Sequence, residues 1–220
     1  MHDTHHAPHD PQPAFDWDDV YRGDGSDTTA PDPLLLAPAY ALSPGKALDL
    51  GCGAGGNALA LAERGWRVTC VDISPRAIAG ARSSACARAV ELELLVADSA
   101  AWQPETTYDF VLSSYALPPR GPARTATLAA AVAALAPGGI LALGEWDEEE
   151  CDWGGDGDLV TLDETRTHLT GLGLDILRAE RLRVPVHQHP GHEQEPADDA
   201  AVIVTARKPH DTHDTLETSD

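Results

Sequence analysis

The most constraining stretch of the chain is KALDLGCGAGGNALALAERGWRVTCVD, Lys46 to Asp72. Ala47 to Leu50 is a short apolar run interrupted by one acid, Asp49, as in a buried strand. Gly51-Cys52-Gly53-Ala54-Gly55-Gly56 follows, a loop whose missing Cβ atoms leave room for close backbone approach. Asn57 to Arg64 carries Leu59, Leu61 and Ala62 on a helical face, and Gly65 is a natural stop. Trp66 to Val71 is apolar enough for a second buried strand, closed by Asp72. Strand, glycine loop, helix and strand in that order predict a nucleoside-containing ligand lying across the loop. The acid that ends the second strand would then hold its ribose diol.

The spacing of the loop separates the possible ligands. Dinucleotide sites use GxGxxG with a helix N-terminus facing a pyrophosphate. Here the glycines fall at Gly51, Gly53 and Gly55, with Asp49 just ahead of them. A carboxylate there repels a diphosphate and attracts a ligand carrying an ammonium and a sulfonium. At these residues the chain resembles the class I S-adenosylmethionine (SAM) dependent methyltransferases, whose first motif is an acid followed by GxGxG.

Length and composition bound what such a chain can be. Its 220 residues suit one domain. No run of about 18 apolar residues occurs, so no membrane helix is expected. The opening MHDTHHAPHDPQP lacks the basic and apolar regions of a signal peptide. Cys52, Cys70, Cys86 and Cys151 show neither paired nor metal-type spacing, which reads as free thiols in a reducing cytoplasm. A net charge of -21 argues against nucleic acid or an anionic membrane as partner. Residues 1–13 and 209–220 are almost free of apolar side chains and read as disordered tails around a domain at 14–208. The tails share the sequence HDTH, at His2–His5 and His210–His213. Weak metal binding by these imidazoles, or by His187, His189 and His192, competes with plain solvated polar chain, and no metal site is assigned.

Read in order, Phe15 to Arg22 suggests a short helix with Trp17 and Tyr21 on one face. It serves either as a flap over a cationic ligand or as simple packing. Gly23 to Pro33 is a polar hinge, and Pro33 opens a helix over Leu34 to Leu42. Ser74-Pro75 caps a helix that runs to about Arg88. Leu92 to Ala97 and Tyr108 to Ser113 are the third and fourth strands, and Thr125 to Ala136 is an alanine helix. Pro137-Gly138-Gly139 turns into a fifth strand that runs out at Glu145-Trp146-Asp147. An acidic loop, Glu148 to Asp158, reads as a solvated face or, less simply, a cation site. Leu159 to Leu172 is expected as the last helix, capped near Asp163. Leu174 to Val184 and Ala200 to Arg207 complete the strands around a polar excursion.

The resemblance covers Leu34 to Lys208 and implies an α/β fold. This is a three-layer Rossmann-like sandwich on a seven-stranded, mostly parallel sheet with an antiparallel late hairpin. It implies SAM as cofactor, with Asp49 near the methionyl ammonium and Gly51, Gly53 and Gly55 under the ligand. Asp72 and Ile73 would meet the ribose side, Asp98 and Ser99 the adenine, and Ser114 the methyl-donor end. Within the class the chain looks most similar to the small tellurite-resistance and thiopurine methyltransferase-like branch. The segment after strand four, Ser113 to Pro119, is where this family meets its acceptor. It offers Tyr115 and hydroxyls but neither a His, Asp or Lys base nor the Asn/Asp-Pro-Pro-Tyr signature. Trp17, Tyr21, Tyr115 and Trp146 are the candidate acceptor contacts, and Tyr115 is the only candidate catalytic group. The expected partner is a small-molecule acceptor (thiol, selenol or metalloid oxyanion), taken by a monomer or homodimer. The alternatives are a natural-product O- or N-methyltransferase in which Tyr115 or Glu145 assists proton loss, a non-catalytic SAM-binding protein, and an NAD-dependent reductase.

Overall fold

The structure, a computed structural model, describes residues 17–21, 30–151, 153, 157–185 and 198–210. Parallel strands that are covered on both faces need near-continuous apolar runs, and the chain supplies them. β1 (Lys46–Leu50) is buried from Ala47 onward, and all of β2 (Arg67–Asp72) after Arg67 is buried. β3 (Leu92–Val96), β4 (Tyr108–Ser114) and β5 (Leu135–Trp146) extend the parallel set. The seven strands lie in the order β3-β2-β1-β4-β5-β7-β6, with β6 at Asp175–Pro185 and β7 at Asp198–Arg207. β7 runs antiparallel to both neighbours, so the last strand of the chain slots between β5 and β6. This is the expected mostly parallel α/β sandwich.

Six helices are described. α1 (Trp17–Val20) is a single turn. α2 (Pro33–Tyr40) starts where the Asp32 carboxylate accepts from the Leu34 and Leu35 amides, with Pro33 in the first helical position. α3 (Gly56–Ala62) and α4 (Pro75–Ala87) follow the first two strands, α4 capped by the Ser74 hydroxyl. Leu35, Leu36, Ala58, Leu61 and Ile78 put α2, α3 and α4 on one face of the sheet. α5 (Pro122–Ala134) and α6 (Leu162–Gly171) cover the other through Leu128, Ala131, Val132 and Leu169.

Two boundaries differ from the sequence expectation for identifiable reasons. Leu159 and Val160 are not helical. Val160 donates to the Trp146 carbonyl and accepts from the Glu148 amide, so the end of β5 claims that backbone. The helix begins instead at Thr161, whose hydroxyl accepts from the Glu164 amide at 3.2 Å, rather than near Asp163. Pro137-Gly138-Gly139 does not precede the fifth strand but bulges within it. Tyr108 pairs with Leu135, and Phe110 pairs next with Ile140. Gly138 takes a φ of +79°, and a Cβ there would lie 2.3 Å from the His210 ring. Lys208 closes the same corner by donating from Nζ to the Val132 and Leu135 carbonyls at the end of α5. His210 thus packs on the fold at the start of the span expected as a tail. The rest of both tails, residues 23–29 of the polar hinge and the three loop histidines lie outside the described residues.

Candidate cofactor and acceptor site

The glycine loop leaves the carboxyl end of β1 with left-handed φ values at Gly51, Gly53 and Gly55. Two of these positions have no space for a side chain. A Cβ on Gly51 would fall 2.2 Å from the Ala116 methyl, and one on Gly53 would fall 2.6 Å from the Tyr21 hydroxyl. The loop is anchored below, where the Gly51 and Cys52 amides both donate to the Val71 carbonyl.

Asp49 lies under this loop, 1% exposed, and neither carboxylate oxygen has a hydrogen-bond partner. Burial, then the neighbouring Asp72 charge, pushes its pKa up to about 7. An unpartnered buried carboxylate is costly, and a cationic ligand is the chemistry that would offset it. The residues present therefore fit the ammonium end of SAM. Asp72 closes β2 and accepts from the Gly53 amide at 2.8 Å and the Ser74 amide at 2.9 Å, one on each oxygen. Each oxygen keeps a further lone pair, enough for two ribose hydroxyls. Burial raises the Asp72 pKa, and the Ser74 and Gly53 amides oppose that rise. Beside it, Ile73 and Val96 expose apolar side chains, 54% and 53%, at the ends of β2 and β3, a shelf suited to a base. Asp98 follows β3. Its carboxylate accepts from the Ala100 amide, and Ser99 is hydrogen-bonded to Thr127 of α5. Trp102 packs into the core on the α5 face.

Tyr21 and Trp17 part company with the acceptor segment. The phenol of Tyr21 stands on Gly53, and burial, then Asp72, drives its pKa upward. α1 is tied to the start of α4, where Asp18 Oδ1 accepts from the Ser74 hydroxyl at 2.8 Å and the Arg76 amide at 3.0 Å. Trp17 on the same turn is 44% exposed. The Tyr21 ring therefore lies against the cofactor loop.

The segment after β4 is pinned from below. Tyr115 has a φ of +53°, a conformation rare for a non-glycine residue, and donates its amide to the Gly144 carbonyl. Glu145 Oε1 accepts from the Ala116 and Leu117 amides at 2.8 and 2.7 Å. Burial lifts the Glu145 pKa to about 7 against those two bonds and the Arg124 charge. Arg124, buried on α5, donates to the carbonyls of Pro118, Gly157, Asp158 and Leu159, joining the post-β4 and post-β5 loops. Ser114 ends β4 opposite Gly144. The Tyr115 ring stacks on Trp146, centroids 4.5 Å apart at 29°.

Two residues of this region go unnoticed in the sequence. Asp32 is 6% exposed, caps α2, donates its own amide to Asn57 Oδ1 at 2.7 Å, and lies close enough to the Tyr115 phenol for its charge to raise that group's pKa. Asn57 itself stands at the start of α3. The Asp-Pro pair before an apolar run is the signal that points to an N-cap. Its contact with Tyr115 has no local signature. Among the described residues, no group of three or more His, Cys, Asp or Glu is placed to hold a metal ion. Within the acidic loop, Glu148 pairs with Arg120, and Glu149 and Glu150 pair with Arg181. No described helix is long and apolar enough to cross a membrane.

Residues 47–139 match the family described as a methyltransferase domain. Over these residues the chain is similar to the SAM-dependent methyltransferases. A structure reported for the conversion of a disulfide bond into a thioacetal group during echinomycin biosynthesis is 27% identical, with TM-score 0.66. That likeness covers 82% of this chain and 83% of the other. TehB from Haemophilus influenzae is 21% identical over 82% of this chain and 63% of its own, with TM-score 0.70. The N-methyltransferase NodS from Bradyrhizobium japonicum, solved with S-adenosyl-L-homocysteine (SAH), is 23% identical over 80% of this chain and 84% of its own, TM-score 0.62. The last two likenesses are of fold. No curated protein sequence matches. A methyltransferase domain implies SAM as its cofactor.

Proposed function

We propose that the chain is an enzyme that moves the SAM methyl group to a small nucleophile already reactive at neutral pH, with a thiol, selenol or metalloid oxyanion as the acceptor. The observation that carries the cofactor half is the unpartnered Asp49 carboxylate beneath the left-handed glycine loop. SAM supplies a methyl group on a sulfonium, an electrophile that needs no activation by the protein. The chain's own residues bind, orient and exclude water. Asp49 meets the ammonium, Asp72 the ribose hydroxyls, Ile73 and Val96 the base, and Asp98 and Ser99 its polar edge. Ser114 and Tyr115 border the transferred methyl. Orientation of this kind contributes as much as about 7–11 kcal/mol in favourable cases.

The acceptor half rests on what the site lacks in basic groups. Glu145 spends one oxygen on two loop amides, and the Tyr115 phenol is driven upward by burial, then by Asp32 and Glu145. The described groups that could take a proton from an attacking group are this phenol and Glu145, which is buried and fastened to the loop amides. Sulfur chemistry also figures in the 27%-identical structure. An O- or N-methyltransferase would instead use Tyr115 or Glu145 as base.

The test is a labelled-SAM transfer screen over thiols, selenols, metalloid oxyanions, phenols and amines, run beside SAM calorimetry. Asp72→Ala is expected to weaken SAM binding by about 1–3 kcal/mol, the usual cost of hydrogen bonds to a charged group. Tyr115→Phe is expected to change turnover by less than about tenfold, as for a positioning residue. An amine or alcohol as best acceptor, with turnover abolished in Tyr115→Phe, would replace this reading by general-base catalysis.

A further inference from the structure

Tyr115 and Trp146 are not the end of the aromatic surface beyond the methyl-transfer point. Trp153 sets its ring against Trp146 at a centroid distance of 5.7 Å and an interplanar angle of 70°. It does so although 44% exposed, because its indole N–H donates to the Asp199 carboxylate. Three rings therefore run outward from Ala116, which touches the glycine loop, along the ends of β4 and β5 to the start of β7. A carboxylate closes each end of the row. Asp32 lies beside the Tyr115 phenol, and Asp199 holds Trp153 and also accepts from the Cys151 thiol at 3.0 Å. Arg183, a nearby cation, donates to the Asp198 carbonyl and faces Glu150, and its charge also acts on the Asp199 carboxylate.

Aromatic rings attract cations through their quadrupoles, most strongly where the site is partly dry. Carboxylates at both ends add to that attraction, and a chain of net charge -21 draws cations toward such a cleft and repels anions. We propose that the methyl acceptor is a cationic small molecule whose positive group is held by the Tyr115–Trp146–Trp153 row between Asp32 and Asp199. The recognition rests on the methyl-transfer reading above and narrows it. Metalloid oxyanions fall to the bottom of the acceptor classes, and a thiol or selenol that also carries an ammonium rises to the top. The charge is a handle and takes no part in the bond change, so the row determines specificity and is not catalytic.

Two measurements test this on the full-length protein. In the first, calorimetry of the SAH complex compares choline with its neutral isostere, in which a tert-butyl group replaces the trimethylammonium. Choline is expected to bind at least about tenfold tighter, within the range of a partly desolvated cation–π site. Trp153→Ala, at an exposed position, and Asp199→Asn should each erase most of that preference, while Trp146→Phe should keep it. Equal binding of the two probes overturns the proposal. The second compares methyl transfer to thiocholine, β-mercaptoethanol and mercaptoethanesulfonate, which offer one sulfur nucleophile with positive, neutral and negative neighbours. The expected order of kcat/KM is positive, neutral, negative, with the difference in KM. Transfer to all three without that order overturns the cation handle alone. No transfer to any of them while choline still binds removes the sulfur-acceptor reading and leaves the handle standing.

Discussion

At the scale of single residues, Asp49 couples stability to ligand binding. Its folded-state pKa, about 7, lies above the ordinary carboxylate value because the ionised form is buried beside Asp72. A raised folded pKa contributes stability that is complete below the unfolded value of about 4 and lost as pH climbs through about 7. A bound ammonium reverses the preference and favours the ionised form. SAM affinity should therefore tighten between about pH 6 and pH 8 and then level off, with proton release on the acidic side. Calorimetry in buffers of different ionisation enthalpy reads both effects. In Asp49→Asn the pH dependence should flatten, SAM binding should weaken by about 1–3 kcal/mol, and the ligand-free protein should melt higher at alkaline pH than the parent. A pH-independent affinity in the parent would remove Asp49 from the ammonium site. Gly51 is the complementary case. Alanine there pays about 1–2 kcal/mol for its left-handed φ and also strikes the Ala116 methyl, so both Tm and SAM affinity should fall.

At the scale of elements, the loop after β4 decides how the site is built. Glu145 and Arg124 fasten it from opposite sides, through two amides and one carbonyl. Glu145→Gln keeps an acceptor for Ala116 and Leu117, so turnover should stay within about tenfold of the parent, where loss of a general base costs about 100-fold or more. Glu145→Ala orphans both amides at about 1–3 kcal/mol each and should lower Tm markedly. A kinetic collapse in Glu145→Gln without a change in Tm would make Glu145 the base. The same elements mark how much of the site is legible in sequence. The glycine loop, Asp49 and Asp72 follow from strand ends and turn chemistry, which are local, and Asp98 enters through the family resemblance. The stacking of Tyr115 on Trp146, the reach of Asp32 to Asn57 and the placing of Tyr21 on Gly53 depend on how β1, β4 and β5 align and on where α1 docks. Sequence spacing carries no record of those contacts, so Tyr21 reads both as a flap over the cationic ligand and as an acceptor contact.

At the scale of the whole molecule, charge sets the terms. With 36 acidic against 15 basic residues, the chain repels itself. Raising salt from about 0.01 M to about 0.1 M shortens the screening length from about 30 Å to about 10 Å and relieves that repulsion. Tm should rise over this interval in a buffered melting series, and a flat or falling response would mean that ion pairs such as Arg120 with Glu148 and Glu164 outweigh it. The fold class is legible at this scale because apolar runs alternating with alanine-rich helices admit few arrangements. The late step that runs against chain order, β7 entering between β5 and β6, belongs to pairing and not to pattern.

That step has a consequence for how the chain comes off the ribosome. Everything from β1 to β5 can assemble as it emerges, each strand laid beside one already made. β6 cannot, because its sheet neighbour has not yet been synthesised and the space next to β5 belongs to β7. Until Asp198–Arg207 clears the exit tunnel, the nascent protein carries an open β5 edge and an unmatched β6, the features that invite wrong pairing. A nascent chain held with residue 197 just outside the tunnel should have its glycine-loop half protease-resistant and its β6 half cleavable. Release of the last strand should then protect both at once.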